Sequence, residues 1–363
     1  PLKPLASTLR TVLGIRGEPS TPDDPAQGFV WQAILAQIDH PGSQSAYVSA
    51  GDSPRELFEK HPWSIGGGGA SELKELIEGV SSRRLESLVD SIGRTTHTGE
   101  DEAFYAGLSA FRTRSLQDWA VPIVIGEDVR DFRCQPGLWT LFPYDRSNGE
   151  RLESLPQSIE RRLWPLRTNL KERQDYGEKI EQRGLRWYEH SMFFPARYRT
   201  PLSIVFAFVA THNHFVLDRG GKVFNRSAPV IKLPAEATEA DHLALLGLLN
   251  SSTACFWMQQ AMHNKGGPGG GSSKDEKWHD FFEFSSTRLL EFPVPEMSVA
   301  DLAKDAVRIS ERVAELDPNA VVTQWLRESA ETTRLLDRLN DSQLEYEKGR
   351  LELVHVQEEL DWS

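Results

Sequence analysis

Between Ile92 and Leu233 the sequence advances in short β-branched and aromatic runs, separated by Gly, Pro and Asn/Asp turns. Runs of this length and chemistry suit strands, and turns this frequent favour antiparallel neighbours. The expected strands are Ile123 to Ile125, Trp139 to Tyr144, Leu185 to His190, Ser203 to Ala210, His214 to Asp218 and Val230 to Leu233. A basic helical stretch starts near Gln157, and Pro165 must kink or split it, because proline removes a helical donor and clashes with the preceding turn. Thr238, with Glu239 and Asp241, opens an apolar helix over Leu243 to Met262 that ends at the glycines of 266–271. The expected class is α/β in the α+β sense, with mixed or antiparallel sheets, helical inserts and flanking helical regions.

The flanks differ in texture. On the amino-terminal side stand an amphipathic helix around Phe29 to Ile38, an extended run at Ala46 to Val48 and the four glycines Gly66 to Gly69. No Lys-Ser/Thr pair follows those glycines and no GxGxxG turn is present, so they read as a linker, not a phosphate cradle. Ser71 can cap a helix carrying Leu73, Leu76 and Ile77, and a second helix is expected over Arg84 to Ile92. After Trp278 comes the strand-like DFFEFSS, and Pro293 and Pro295 mark a boundary. From there to the end the pattern is helical. Leu336, Leu339, Leu344, Leu351 and Val354 form an imperfect apolar stripe among many acids, which suits a helical hairpin packing on the body or a partner contact. These shifts divide the chain at 1–91, 92–295 and 296–363.

At 363 residues, with 39% hydrophobic and 26% charged, the chain has ordinary globular composition and length for two or three cores. The most apolar stretches, Ile204 to Ala210 and Leu243 to Leu249, fall far short of the roughly 20 residues a membrane helix needs. Cys134 and Cys255 have no CxxC spacing and no signal peptide precedes them, so a cytoplasmic location is expected. The chain starts at Pro1 without Met, as an excised piece of something longer would. Its net charge of −12 argues against a nucleic-acid partner on average. The average hides an asymmetry. Residues 151–200 hold 11 basic against 7 acidic side chains, a net of +4, whereas residues 301–363 hold 8 against 15, a net of −7. A polyanion would meet the middle and be repelled by the tail.

The middle also holds the two constellations that can carry recognition. In residues 184–201, Arg186, Arg197 and Arg199 interleave with Trp187, Tyr188, Phe193, Phe194 and Tyr198. Arginine forks suit phosphates and guanine edges, and aromatic faces either stack on bases or fill a core. In residues 210–229 a hairpin turn at Arg219-Gly220-Gly221-Lys222 separates two extended runs. His212 and His214 share a strand face there, but a metal site lacks a third ligand at a recognised spacing. The string His-Asn-His is no nuclease signature, which needs its histidines on a strand and a helix some distance apart. Asn213, Asn225, Lys222 and Arg226 suit base edges or phosphates. No catalytic motif stands out, and neither a methyl-donor glycine loop nor an Asn/Asp-Pro-Pro-aromatic tetrapeptide is present.

Several runs, among them IGRTTHTGEDEAFY, IGEDVRDF, LRWYEHSMF, PLSIVFAFVATHNHFVLDRGGKVFNRSAPVIKLP, LGLLNSSTACFWMQ and FSSTRLLEFPVP, resemble the PglX family. These are adenine-specific DNA methyltransferases of BREX phage defence, and the nearest resemblance is to the type 2, phage-growth-limitation branch. The motif order is more distantly similar to the TaqI-like specificity domain of type IIG methylases. The resemblance implies that 92–295 is a DNA target-recognition domain of TaqI-like form, that 1–91 connects to an upstream methyltransferase domain, and that 296–363 is a C-terminal helical region. It implies S-adenosylmethionine as a cofactor of the parent protein and none bound by this chain. The implied partners are double-stranded DNA and the upstream domain, with no membrane. A rival reading is a scaffold that docks other BREX components. The side chains expected at DNA are Arg161, Arg162, Arg167, Lys171, Arg186, Tyr188, Arg197, Arg199, His212, Asn213, His214, Lys222, Asn225, Arg226 and Lys265, with no catalytic residue and no metal ligand among them.

Overall fold

A computed structural model describes residues 6–59, 63, 66–266, 281–296, 298–328 and 333–363. The expected mixture of helices and largely antiparallel sheets is observed. The chain divides into two units, each made from separated segments. One takes the chain up to Leu85 together with Phe256–His263 and Thr287–Glu296; the other takes Glu86–Cys255, Asn264–Ser286 and the helices to Ser363. Neither unit is a single consecutive stretch, because return segments complete the first one.

In the first unit the strand Thr8–Gly14 pairs antiparallel with Val48–Pro54, and the helix Phe29–Gln37 lies between them in sequence. The glycine run proves to be fitted into this unit, contrary to the expected linker. The Gly67 amide donates to the Gly14 carbonyl at 2.8 Å, and a Cβ on Gly67 would stand 2.6 Å from the Leu13 carbonyl oxygen. The helix Ala70–Gly79 follows, and its Glu78 accepts from the indole Nε1 of buried Trp257 at 3.0 Å. The Trp257 ring meets Phe292 edge-on at 5.2 Å.

The second unit is built on two four-stranded sheets. The first has the order Phe215–Asp218, Ser203–Phe206, Val230–Lys232, Ser91–Gly93, antiparallel throughout. The second runs Val223–Phe224, Ala120–Val124, Leu138–Leu141, Tyr105–Ala106, parallel only in its first pair. Period-two alternation sends Ala120 and Leu141 to one face of this sheet, against Phe104, Phe111, Ile159, Leu163 and Leu170. Val121, Ile123 and Phe142 point to the other face, with Tyr144 and Val223. Both faces are buried, which explains why Ala120–Val124 reads as a continuous apolar run.

Three expectations fail here for identifiable reasons. The helix expected over Arg84 to Ile92 is a single 3-10 turn, Leu85–Ser87, followed by the strand Ser91–Gly93, whose pairing with Val230–Lys232 overrides local propensity. Leu185 to His190 is a loop, held by the side-chain contacts described below. The two runs around Arg219–Lys222 are no hairpin: the turn exists, with positive φ at Gly220 and Gly221, but it carries the chain from one sheet to the other.

Helices close the unit. As expected, Pro165 splits the basic stretch into Gln157–Leu163 and Arg167–Glu172, joined by the 3-10 turn Trp164–Leu166. Thr238 and Asp241 form a reciprocal capping box at the start of Glu239–Asn250, and Ser251 separates that helix from Ser252–Ala261. The C-terminal helices are Ala300–Glu315, Pro318–Glu328 and Thr333–Trp362. The last packs on Ala300–Glu315 through a small residue: a Cβ on Gly349 would lie 2.6 Å from Val313 Cγ2. Its Leu336, Leu344, Leu351 and Val354 therefore face solvent. The glycine cluster expected after Met262 lies, beyond Gly266, outside the described residues.

Candidate nucleic-acid interface

One buried arginine organises the middle of the chain. Arg173 ends the helix Arg167–Glu172 and is almost wholly buried. Its guanidinium donates to the carbonyls of Leu170 (2.9 Å), Trp187 (2.7 Å) and Glu189 (2.9 Å), and to that of Thr98. It also stands 5.4 Å from the centre of the Phe104 ring. Burial lowers its pKa to about 10, still well above neutrality, so the charge persists. One side chain thereby fixes the Leu185–His190 loop against the strand Thr96–His97, and captures carbonyls that a sheet would otherwise use.

Upstream of Arg173 in the chain is the helix Gln157–Leu163. Arg161 is exposed and Arg162 half-buried in its last turn, and neither has a hydrogen bond or ion pair among the described residues. Arg167 lies over the Trp164 ring at 4.8 Å, with its Nε shielded from solvent and without a partner among the described residues. Lys171 is tied to Glu181 at 2.8 Å.

A second group consists of Arg94, His97 and Arg226. Burial lowers the His97 pKa, Asp175 at 3.8 Å from its Nε2 opposes this, and Arg94 and Arg226 lower it further. Both guanidinium groups therefore act on one imidazole. Neither Arg94 nor Arg226 has an ion pair among the described residues. Arg94 escaped the sequence reading because a single arginine between a glycine and a threonine carries no local signal.

The structure gives other work to several side chains expected at DNA. Tyr188 is buried and its hydroxyl donates to the Leu152 carbonyl at 2.8 Å, so its ring is core. Arg186 is exposed yet donates to the Glu153 carbonyl and, at 3.0 Å, to the Tyr188 hydroxyl. Arg197 is half-buried over Phe194 and donates to the carbonyls of Arg94 (2.8 Å) and Ile92 (3.1 Å). Arg199 Nε donates to the Asn148 carbonyl at 2.5 Å. Asn213 is buried, and its amide donates to the carbonyls of Leu249 (2.7 Å) and Ser251 (3.2 Å) at the break between two helices. Asn225 accepts from the Ser227 amide at 2.9 Å and hydroxyl at 2.8 Å, closing its own turn. Lys222 pairs with buried Asp218 at 2.5 Å, and Lys265 pairs with Glu283 at 2.6 Å.

His212 is exposed and His214 buried, their rings 4.1 Å apart. Burial, with His212 and Arg130 adding to it, lowers the His214 pKa to about 3. Among the described residues no group of three or more His, Cys, Asp or Glu is placed to hold a metal, and no helix is long and apolar enough to cross a membrane. Cys134 is pushed up to about 12, chiefly by burial, so its thiolate is not formed near neutrality. Among the described residues Arg161, Arg162, Arg94 and Arg226 make no ion pair, and each is able to contact a phosphate.

No family model matches the chain. Among solved structures it is similar to the type IIL restriction-modification enzyme MmeI in complex with DNA, at 13% identity and a TM-score of 0.43, covering 77% of this chain and 33% of that one. It is likewise similar to the type IIG restriction endonuclease BpuSI, at 10% identity and a TM-score of 0.43, covering 92% of this chain and 38% of that one. Both likenesses are distant. Among curated proteins the match is much nearer and bears out the resemblance seen in the motifs. Over 98% of its length the chain is 37% identical to the adenine-specific methyltransferase PglX of Streptomyces coelicolor, and it spans 29% of that protein.

Proposed function

We propose that this chain is the DNA target-recognition module of an S-adenosylmethionine-dependent N6-adenine DNA methyltransferase in BREX defence, and that methyl transfer takes place in another part of the parent protein. The similarity to an adenine-specific methyltransferase along nearly the whole chain carries this reading. Arg94, Arg161, Arg162 and Arg226 supply cations free to meet phosphates, fixing register on the duplex. Polar groups near them test base edges. The acidic C-terminal helices stay off the duplex.

The residues present do not suit S-adenosylmethionine. The glycines 66–69 that lead into the helix Ala70–Gly79 leave no cradle, because the Cβ position of Gly67 lies against the Leu13 carbonyl. No Asn/Asp-Pro-Pro-aromatic tetrapeptide occurs in the sequence. The cofactor and the upstream methyltransferase domain thus belong together as partners of this chain. A second reading, a scaffold docking other BREX components, draws on the solvent-facing Leu336, Leu344, Leu351 and Val354.

The test joins the chain to the upstream half and maps methylated adenines across a host genome by long-read sequencing. One short asymmetric motif is expected, and its methylation should collapse when Arg94, Arg161, Arg162 and Arg226 are all replaced by Ala. Unchanged methylation of the same motif would refute the recognition role.

A further inference from the structure

Trp164 sits at a break between two helices. It opens the 3-10 turn forced by Pro165, where the chain leaves one short helix for the next, and it remains 54% exposed. Exposure alone assigns nothing, since Trp31 and Trp362 are exposed as well; what distinguishes Trp164 is what lies against its ring. Arg167 lies over the ring at 4.8 Å, and Trp187 meets it edge-on at 6.2 Å and 79°. Trp187 is itself anchored, since it packs on the core and its carbonyl accepts from buried Arg173 at 2.7 Å. The indole is thus braced as a fixed surface element.

The charge around it points to one chemistry. Arg161 and Arg162 stand in the turn just before it, free of ion pairs among the described residues, and Arg167 makes none either. An indole braced beside three unneutralised guanidinium groups suits a ligand with a flat π face and an attached anion. A nucleotide has both. In an intact duplex the base faces are closed by stacking, so the ligand must offer a base that is unpaired or turned out of the helix.

We propose that Trp164, braced by Arg167 and Trp187 and flanked by Arg161 and Arg162, is a stacking platform for an unpaired or extruded DNA base. This rests on the DNA-recognition reading and adds the form of DNA that the module selects. The indole supplies the stacking face, and the Arg167 guanidinium, which lies over the ring, backs it. The neighbouring arginines hold the flanking phosphates.

The experiment measures binding of the full 363-residue chain to a paired duplex, to the same duplex carrying a one-base bulge, and to its single strand. The chain should favour the bulged duplex by about tenfold, a typical effect of stacking one base on an aromatic ring. W164A should erase the preference, W164F should keep most of it, and R167K should weaken it while leaving the salt dependence intact. Thermal melting of each variant checks folding. If W164A does not fold, W164F and R167K alone decide the matter. A bulge preference unchanged in W164A, or one equal loss on all three DNAs, overturns the proposal. Binding of the paired duplex with no bulge preference in the unaltered chain overturns it alone and leaves the DNA reading standing. No binding of any DNA at low salt overturns both. Loss of association with the upstream methyltransferase half, with the bulge preference kept, makes Trp164 a protein contact and also overturns it.

Discussion

The guanidinium of Arg197 donates to the carbonyl of Arg94 at 2.8 Å, so one arginine holds the strand end from which the other projects. Arg197 is thereby occupied with the fold, while the Arg94 side chain is left for a ligand. Replacing Arg197 with Ala should cost roughly 2 kcal/mol of stability, because charge-assisted bonds to two carbonyls are lost. Arg94→Ala should change stability by less than about 0.5 kcal/mol, as expected at a surface position without partners. Chemical denaturation of both variants checks this; equal losses would contradict the assignment.

Gly93 is the position that lets Arg197 approach. Its φ of 142° lies where side chains are rare, and a Cβ there would stand 3.0 Å from Arg197 Nη1. Gly93→Ala should destabilise by about 1–3 kcal/mol. Part of that loss should vanish in an Arg197→Ala background, a coupling that a double-mutant cycle reads directly. Strict additivity would remove the contact from the account.

Tyr176 sits at the first of two loop positions between the paired strands Gln174–Asp175 and Glu178–Lys179, with φ 55°. Such a two-residue turn needs left-handed backbone at both positions and favours Asn-Gly. Tyr176 is 88% exposed, so its ring recovers little. Tyr176→Asn should therefore raise stability by about 1 kcal/mol. A fall in melting temperature would show that the ring is supported after all.

Two buried imidazoles set the acid limit of the fold. His190 Nε2 faces the Leu141 carbonyl at 2.8 Å and must carry the proton, leaving Nδ1 to accept from the Thr96 hydroxyl at 2.5 Å. Burial lowers both His190 and His214 to about 3. The native state therefore binds fewer protons than the unfolded chain between about pH 6.5, the unfolded value, and pH 3. Their contribution is complete above pH 6.5. It falls as the medium is acidified below that, by about 1.4 kcal/mol per pH unit for each imidazole. His190→Gln should make the decline in stability between pH 7 and 5 shallower. An unchanged slope would mean that His190 does not titrate with unfolding.

Local chemistry was legible in the sequence. The capping box at Thr238 and Asp241 and the split at Pro165 depend on residues a few positions apart, and both were found. What depended on distant partners was not. The Leu185–His190 loop looks like a strand until Arg173 takes its carbonyls, and the double-glycine turn looks like a hairpin until its flanking runs join different sheets. Of the expected DNA contacts, Arg161, Arg162 and Arg226 make no ion pair among the described residues, whereas Asn213, Tyr188 and Arg197 are spent on internal carbonyls. Clustering of Arg and aromatic residues in sequence signals a basic region but cannot tell a buried brace from a surface grip. Arg94 shows the converse, since only the fold brings it beside Arg226 at His97.

The most direct test of the phosphate-gripping surface is the salt dependence of duplex binding by the chain and by an Arg94→Ala/Arg226→Ala variant. The logarithm of the binding constant should fall linearly with that of salt concentration, and the variant's slope should be shallower by about 2, one counterion for each lost phosphate contact. Identical slopes for the two proteins, or duplex binding that salt does not weaken, would contradict it.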